Sequence, residues 1–365
     1  MTNNSNEILI IGPLPPIRGG IPRHTERMAI ALGKNQRVKI YTPKKLYPNW
    51  LYPGQSQYET RAKLKLGAIQ VATLTKLSII YRLLFDKKIP KNVIVVWWNI
   101  YLAPFVLLAA CAIRIRGSSV FFFCHNVIPH DIGRLGQVIN QVVLASGNGF
   151  AVQTEEEKEK LKRLVKSALV VNVGKPSSLQ LSFSKSANKN TKSNITYLFI
   201  GLIRPYKNVP LLIDAFGNLQ NESARLRIVG ECWDAKLRSE IEAKAKTDER
   251  IQLNLNFVSE EEFLTEICEA SFVCLPYSNA SGSAVLAASL AVRTPVIVSN
   301  LPSFSHIVQH GVNGFTFESN NLTSLSSVLD EASKWTPRIE AIENTFNYTW
   351  EEFAGKLLKL IHNDT

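Results

Sequence analysis

Two basic side chains with a short spacing are the clearest chemical signal in this sequence. Arg204 and Lys207 lie in the segment Gly201–Asn208, directly after an apolar run that is typical of a buried strand. Because they are three residues apart in a loop from a strand to a helix, both can reach the same anion. Paired cations of this kind stabilise the charge that develops on a leaving diphosphate. A merely solvated, charged loop is the alternative interpretation.

A histidine occupies a similar place in the first half of the chain. His125 follows the apolar run SVFFFC, and Asn126 and then His130 come after it. At the carboxyl end of a buried parallel strand, a histidine can hydrogen-bond a hydroxyl group or transfer a proton. A histidine that only caps the next turn is the alternative. Cys124 ends the apolar run, and we interpret it as a core residue rather than a nucleophile.

Two turns rich in glycine and small residues are candidate phosphate sites. They comprise Gly19 and Gly20, with Arg18 and His24 beside them, and the later run Gly282, Ser283 and Ala284. Each turn opens a predicted helix, whose first backbone N–H groups favour an anion. Neither half has the G-x-G-x-x-G pattern with its acidic ribose partner, which excludes a nicotinamide-dependent oxidoreductase.

Metal ligands for a diphosphate are missing from the sequence. No two aspartates lie within three residues of each other, and the five cysteines have no C-x-x-C spacing. An odd number of cysteines without regular spacing also argues against a secreted disulfide scaffold. We therefore predict no metal and no cofactor, so that Arg, Lys and helix ends must meet the charge of a diphosphate.

Short apolar runs alternate with helical stretches along the whole chain. A first series of predicted strands and a second one are separated by the polar stretch 182–194. This pattern predicts an α/β protein with two Rossmann-like parallel-sheet domains facing across a cleft. The expected domains are 1–183 and 195–345, followed by a final helix at 346–365. The predicted strands are 7–13, 37–42, 93–98, 119–125, 149–154 and 168–173, then 195–201, 226–230, 251–257, 272–277 and 295–299.

Charge is distributed unevenly over a chain of 365 residues whose net charge is +12. Residues 1–185 carry 26 Lys and Arg against 9 Asp and Glu, whereas residues 186–365 carry 16 against 21. The basic half is expected to face phosphate, in nucleic acid or in anionic lipid. No nucleic-acid signature appears, and the segment 61–91 alternates basic ends with Leu, Ile, Tyr and Phe, as an interfacial surface does. An ordinary helix packed on a sheet is the equal alternative for this segment.

Targeting signals are not visible. The N-terminus has no basic stretch followed by an apolar one, and the longest apolar run is well short of the roughly 20 residues that span a bilayer. We therefore expect a cytoplasmic protein, which becomes peripheral on the inner face of the cell membrane if its basic surface binds lipid.

Taken together, these segments make the chain similar to the retaining glycosyltransferases of the GT-B fold, family 4. The similarity is carried by the glycines at 19–20, His125 in HNVIPHD, GLIRPYKNVPLLIDAF at 201–216, the segment 275–300 and HGVNGF at 310–315. The resemblance implies metal-independent, retaining transfer from a nucleotide-diphosphate sugar. It also implies that the C-terminal helix, 346–365, crosses back to pack on the N-terminal domain. Arg204 and Lys207 would bind the diphosphate, His125 the donor sugar, and the loop at Gly19 and Gly20 would close over the phosphates.

The resemblance further implies that the acceptor binds the basic N-terminal domain, where Arg18, His24, Asn126 and His130 are candidates. One departure concerns the donor site: the two glutamates that the family usually has fall at Ala280 and Ala288 here. Neither side chain can accept a hydrogen bond from a hydroxyl, and losing such a charge-assisted bond costs about 1.5–3 kcal/mol.

The sequence therefore predicts an enzyme that adds a sugar to a lipid-linked or polysaccharide acceptor in cell-surface glycan synthesis. Its partners would be a nucleotide sugar, the acceptor and an anionic membrane surface, but no nucleic acid. The alternative is a non-catalytic protein of the same fold that binds a glycan or a partner, with the two alanines marking the decay of the donor site.

Overall fold

The computed structural model describes residues 7–47, 56–59, 66, 69–86, 88–128, 133–166, 168–174, 176, 195–280, 282–336, 342 and 348–362. The chain divides into two compact units. Unit 1 comprises residues 1–176 together with 348–365, and unit 2 comprises residues 177–347. The C-terminal segment thus returns to the unit in which the chain begins.

The described strands of unit 1 form one parallel, seven-stranded sheet in the order β3-β2-β1-β4-β5-β6-β7. They are β1 (Glu7–Ile11), β2 (Arg37–Pro43), β3 (Gln70–Leu74), β4 (Asn92–Trp97), β5 (Ser119–Cys124), β6 (Gly149–Val152) and β7 (Leu169–Asn172). The helices are α1 (Gly20–Gly33), α2 (Lys76–Phe85), α3 (Ala103–Ile115), α4 (Arg134–Ala145), α5 (Glu155–Leu164) and, at the C-terminus, α12 (Trp350–His362).

Both faces of this sheet are covered, which explains why its strands are almost continuously apolar. In β5 the side chains alternate: Phe121 and Phe123 join the core shared with α1 and α12, whereas Phe122 and Cys124 join the core shared with α2 to α5. The C-terminal helix α12 contributes the fully buried Phe353 to the first of these cores. Helix α12 is therefore an integral part of unit 1.

Unit 2 repeats the design with a parallel, six-stranded sheet in the order β10-β9-β8-β11-β12-β13. Its strands are β8 (Thr196–Ile200), β9 (Arg225–Val229), β10 (Ile251–Asn254), β11 (Phe272–Leu275), β12 (Val296–Ser299) and β13 (Gly314–Phe317). Its helices are α6 (Val209–Gly217), α7 (Ala235–Ala245), α8 (Glu260–Glu269), α9 (Ala284–Ala291), α10 (Pro302–Ser305) and α11 (Leu322–Lys334).

The predicted fold class, two parallel α/β sheets, is confirmed. Two strands escaped the sequence analysis, β3 and β13, and each lies at the edge of its sheet. In the segment 61–91, residues 70–74 pair with β2 as the strand β3, and of its other described residues 76–85 form the helix α2. Its first residues, 61–65, and the polar stretch 182–194 lie outside the described residues. Within the described ranges, none of the helices is long and apolar enough to span a bilayer.

Candidate functional site

The loop after β8 places the two cations at the carboxyl edge of the unit 2 sheet. The chain leaves β8 at Gly201, pairs Ile203 with Cys232 in an isolated bridge, and makes a short 3-10 turn over Pro205–Lys207 before α6 begins. The N–H of Lys207 donates to the carbonyl of Arg204 at 2.9 Å. Both side chains therefore project from one tight turn, as their spacing predicts.

Lys207 lies among aromatic rings rather than carboxylates. Its Nζ is 5.2 Å from the centroid of the Tyr277 ring and 5.9 Å from that of Phe199. Burial lowers the pKa of Lys207, and the positive charge of Arg204 adds to this effect. In the described part of the chain no carboxylate forms an ion pair with either cation. The site thus carries positive charge that an anion can neutralise.

Trp233 contacts the guanidinium of Arg204 and was not predicted from the sequence as a site residue. The guanidinium carbon of Arg204 lies 4.6 Å from the centroid of the Trp233 ring, within the range of a cation–π contact. A contact on one face of the guanidinium restricts its position and leaves N–H groups that can donate to phosphate oxygens. Trp233 follows β9 and has no spacing relation to Arg204, so no local pattern in the sequence indicates it.

Two glycines let the loops after β8 and β9 approach closely. Gly201 has φ +117° and Gly230 has φ +135°, values that side-chain-bearing residues rarely adopt. A Cβ on Gly230 would lie 2.2 Å from the carbonyl oxygen of Gly201, and a Cβ on Gly201 would lie 3.5 Å from Nζ of Lys207. The glycines therefore keep the space beside the cations free of side chains.

The small-residue turn before α9 lies at the same edge as the cations. The N–H and Oγ of Ser278 both contact the carbonyl of Tyr206, at 2.8 and 3.1 Å, which ties this loop to the cationic one. Gly282 has φ +151°, and the hydroxyl of Ser283 accepts a hydrogen bond from the N–H of Leu286 at 3.2 Å. Ser283 is thus the N-cap of α9, which Ala284 begins. The predicted donor-site residues of unit 2 therefore share one sheet edge.

The two alanines at the expected glutamate positions have different surroundings. Ala288 is fully buried within the core of unit 2, and Ala280 offers its carbonyl to the hydroxyl of Ser303 at 2.7 Å. A polar side chain at position 288 would have to enter an apolar core. The hydrogen bonds that glutamates would make are therefore not supplied from these two positions.

In unit 1 the structure brings two of the three predicted histidines, His24 and His125, together. His125 follows β5, and its ring lies 4.9 Å, edge to face, from that of His24 on α1. The Nε2 of His24 lies 2.9 Å from Nε2 of Gln153, and its ring also contacts Phe123 and Trp350, the latter from the C-terminal helix α12. Gln153 and Trp350 were not predicted, because they are distant from both histidines in the sequence. These contacts fix the ring of His24, and His24 together with Phe123 contacts the ring of His125.

The turn that follows His125 is held by a buried polar network. The N–H of Val127 donates to a carboxylate oxygen of Glu157 at 2.6 Å, and its carbonyl accepts from Nδ2 of Asn140 at 2.9 Å. The Oδ1 of Asn140 accepts from Nε1 of Trp97 at 3.1 Å. Asn126 is partly exposed in this turn, and His130 lies outside the described residues.

Asn140→Ala is expected to lower the free energy of unfolding by roughly 2–4 kcal/mol, because it leaves the indole of Trp97 and the carbonyl of Val127 buried without partners. Urea denaturation followed by circular dichroism measures this change. Asn218→Ala is the matched control: its amide donates to Ser326 at an exposed site and should cost less than about 0.5 kcal/mol. Equal losses in the two variants would contradict a special role for the network.

The turn at Gly19 and Gly20 leads directly into helix α1. Gly19 has φ +115° and precedes α1, which begins at Gly20. No heavy atom lies within 4 Å of a Cβ placed on Gly20, so this position faces open space. The N–H of Arg18 donates to the carbonyl of Gln57 at 2.8 Å, which anchors the turn to the loop after β2. Among the described residues, no group of His, Cys, Asp and Glu is arranged to hold a metal ion.

The chain is similar in sequence to known glycosyltransferases. A family model for glycosyl transferases group 1 matches residues 182–347. A GDP-mannose:glycolipid 4-beta-D-mannosyltransferase of Xanthomonas campestris pv. campestris is 32% identical over 120 residues, which are 33% of this chain and 34% of that protein. The chain thus aligns with about a third of the length of this curated relative.

Two solved structures resemble the chain over almost its whole length. The lipopolysaccharide outer core galactosyltransferase WaaB gives a TM-score of 0.68 at 13% identity, covering 98% of this chain and 100% of that one. Anabaena Alr3699/HepE, solved with UDP and glucose, gives 0.68 at 12% identity, covering 98% and 97%. At these identities the similarity shows a shared fold.

Proposed function

Because residues 182–347 belong to the glycosyl transferases of group 1 and the chain has the GT-B fold, we propose that this protein is a glycosyltransferase that uses a nucleotide-diphosphate sugar. The observation that carries the proposal is the cation pair of Arg204 and Lys207 at the carboxyl edge of the unit 2 sheet. Lys207 is desolvated enough to lower its pKa, and the position of the Arg204 guanidinium is restricted by Trp233. Such a site is suited to a diphosphate.

In the proposed reaction, the bond between the anomeric carbon and the diphosphate oxygen breaks with its electron pair on that oxygen. The acceptor hydroxyl oxygen bonds to the anomeric carbon, and its proton passes to the departing diphosphate. Arg204 and Lys207 stabilise the charge that accumulates on the leaving group, where one preorganised donor is worth about 10²–10³ in rate. We assign His125 to the donor sugar, as the family resemblance implies; its support is a ring position fixed by the contact with His24.

We further propose that transfer retains the anomeric configuration and needs no metal. The resemblance to the retaining glycosyltransferases supports retention, whereas the Xanthomonas relative is named a 4-beta-D-mannosyltransferase. The anomeric configuration of the product therefore decides whether this chain retains or inverts the configuration of the donor. Nuclear magnetic resonance of the product should show the donor configuration, and EDTA should leave the rate unchanged. An inverted product would refute retention while leaving the diphosphate site unaffected.

For the acceptor we propose a lipid-linked or polysaccharide glycan of the cell surface, met at the cytoplasmic face of the membrane. Two similarities support this choice: the Xanthomonas relative is named for a glycolipid, and the neighbour WaaB for the lipopolysaccharide outer core. The strong excess of Lys and Arg in residues 1–185 also suits an acceptor that carries phosphate. Arg18, His24, Asn126 and His130 are the residues that we assign to this side.

Nucleotide binding tests the proposal directly and identifies the base. Thermal shift with UDP, GDP, ADP, CMP and dTDP should raise the melting temperature with one of them, by mass action on the native state. The shift should disappear in Arg204→Ala but persist in Arg238→Ala, which removes an exposed arginine of α7 that pairs with Glu242. No shift with any nucleotide would contradict the proposal.

The affinity for the nucleoside diphosphate is expected to fall as the pH rises through the lowered pKa of Lys207. The fall should occur at a lower pH than for a lysine with an ordinary pKa. Above about pH 7.5 a terminal phosphate, with a pKa near 6, is already ionised, so the change reports the lysine. Titration calorimetry from pH 7.5 upward measures it. In Lys207→Arg the decline should vanish, because a guanidinium does not titrate in this range.

A non-catalytic glycan- or partner-binding protein is the second candidate. Ala280 and Ala288 favour it, because neither provides the hydrogen bonds that a glutamate would give a donor. The two candidates differ in one observable: an enzyme releases the nucleoside diphosphate from the matching nucleotide sugar when acceptor is present. Binding of the nucleotide without such release would favour the second candidate.

A further inference from the structure

Three consecutive helices of unit 1 expose apolar side chains where a polar face is expected. Helices α2, α3 and α4 pack side by side on one face of the sheet, and their inner residues share one core. Their outward positions are large and apolar, and most are more than half exposed. These residues, which we call the α2–α4 surface, are Leu77, Tyr81 and Phe85 on α2, Leu108 and Ile115 on α3, and Leu135, Val138 and Val142 on α4.

The spacing of these residues makes continuous ridges. Leu77, Tyr81 and Phe85 follow one another at four-residue intervals and are 81%, 65% and 64% exposed. Side chains at this interval lie above one another on a single helix face, and the rings of Tyr81 and Phe85 are 4.9 Å apart. On α4 the intervals are three and four residues, which again give one face. The apolar exposure is therefore organised along the helices.

Charge on the same helices has only one sign. Helices α2, α3 and α4 contain four basic residues, Lys76, Arg82, Arg114 and Arg134, and no Asp or Glu. The nearest carboxylate at the end of α2, Asp86, accepts from the hydroxyl of Tyr41 and lies 3.7 Å from Nζ of Lys39. Asp86 also acts electrostatically on Arg82, so it offsets part of the charge at the end of α2. The three helices themselves carry only positive charge.

Other helices of the same chain show that this is a local property. Helix α5, which contributes Leu161 to the same core, reads EEEKEKLKRL and pairs Lys160 with Glu156 and Glu157. Helix α7 of unit 2 pairs Arg238 with Glu242 on its exposed side. Neither contributes a large hydrophobic residue to the exposed surface. The usual solvated helix face is thus present beside the α2–α4 surface but not within it.

We propose that the α2–α4 surface docks on the interface of an anionic lipid bilayer. Apolar ridges on such a face enter the boundary between headgroups and acyl chains by about 5–10 Å, and basic side chains extend to anionic headgroups. A second copy of the chain is a poorer occupant, because a two-fold interface would bring the basic residues of both copies together. The inference does not rest on the proposed transferase activity, since it uses no residue of the donor site.

A fluorescent label on Cys111 tests the docking on the full chain. Cys111 lies on α3 between Leu108 and Ile115 and is exposed, whereas Cys124, Cys232 and Cys274 are buried and Cys268 is half-buried. An environment-sensitive dye on Cys111 should shift to the blue with vesicles of phosphatidylcholine and phosphatidylglycerol. It should shift much less with phosphatidylcholine alone. The same dye on Lys236→Cys in a Cys111→Ser background, on α7, is the control and should not respond.

Vesicle flotation then separates the apolar from the electrostatic contribution. The triple variant Leu77→Gln/Tyr81→Gln/Phe85→Gln is expected to bind anionic vesicles at least tenfold more weakly, without a change in melting temperature because all three side chains are exposed. Leu322→Gln, at an exposed leucine of α11, is the matched control and should bind as the wild type does. The variant Arg82→Gln/Arg134→Gln should bind anionic vesicles at least tenfold more weakly than the wild type at low salt. At high salt the difference should be small.

Three results would overturn the inference. The first is no binding of the wild type to anionic vesicles at low salt. The second is undiminished binding by the triple variant. The third is a concentration-dependent dimer in sedimentation velocity that the triple variant abolishes, which would assign the surface to a second copy. Nucleotide binding by the same preparations reports on the donor site separately, so a failure of either proposal can be recognised.

Discussion

Lys207→Met is expected to reduce transfer by roughly 100- to 1,000-fold while leaving the protein at least as stable as the wild type. The activity is lost because one of two cations that meet the leaving diphosphate is gone. The stability is kept because burial leaves the charge of the lysine poorly solvated, which lowers its pKa. Among the described residues, its Nζ lies over the rings of Tyr277 and Phe199 and forms no ion pair with a carboxylate. Methionine retains most of the packing volume without the desolvated charge.

The pH dependence of stability provides an independent readout of the same group. A lysine whose pKa is lower in the folded than in the unfolded protein binds its proton less tightly when folded. The free energy of unfolding should therefore rise with pH between the folded pKa of Lys207 and its ordinary value near 10.5. In Lys207→Met this part of the rise should be missing. Chemical denaturation at a series of pH values measures both curves.

A matched control distinguishes the site from the loss of any lysine in unit 2. Lys244 on α7 pairs with Asp214 at 2.6 Å on a partly exposed surface. Lys244→Met should cost at most about 1 kcal/mol of stability and leave the rate of transfer unchanged. If both lysine variants lost activity equally, or if Lys207→Met kept full activity with an intact fold, the assignment of Lys207 to the diphosphate would be wrong.

The sequence predicts most of the central strands because a strand covered on both faces needs apolar residues at nearly every position. The two edge strands that were not predicted, β3 and β13, lack this signature. The strand β3, QVATL, has one neighbouring strand and retains partly exposed side chains, so it reads as part of an amphipathic stretch. The strand β13 is short and follows the turn HGVN, whose glycine and asparagine favour a loop interpretation. The strands β3 and β13 were missed because local composition does not indicate a strand there. Their structure depends on pairing with one neighbouring strand.

Within the candidate site, the sequence indicates the residues that adjoin strand ends but not those that orient them. Arg204, Lys207 and His125 each follow a recognisable apolar strand, so their place at a sheet edge can be anticipated. Trp233 contacts Arg204 from another loop, and Gln153 meets His24 from the end of another strand. These contacts depend on which strands are neighbours, and spacing along a single chain does not encode that order.

Gly230→Ala is expected to destabilise unit 2 by at least about 3 kcal/mol, because two separate costs fall on one position. The backbone has φ +135°, which a Cβ disfavours, and that Cβ would lie 2.2 Å from the carbonyl oxygen of Gly201. The obstacle is backbone of the paired strand end, so no side-chain rotation relieves it. Separation of the two loops would also displace Gly201 and the cationic turn that follows it. Nucleotide binding should therefore weaken together with stability.

Alanine substitutions at two other glycines of unit 2 separate the cost of the positive φ from the cost of the steric contact. Gly201→Ala shares the positive φ but meets only ordinary contacts, at 3.5 Å from Nζ of Lys207 and 3.7 Å from Val285, and should cost about 1–3 kcal/mol. Gly217→Ala, at the end of α6, meets no heavy atom within 4 Å and should be neutral or stabilise by up to about 1 kcal/mol. Differential scanning calorimetry should give the order Gly230, Gly201, Gly217 from the lowest to the highest melting temperature. If Gly230→Ala and Gly217→Ala had the same melting temperature, the close approach of the two strand ends would be refuted. The requirement for glycine at position 230 would then have no steric explanation.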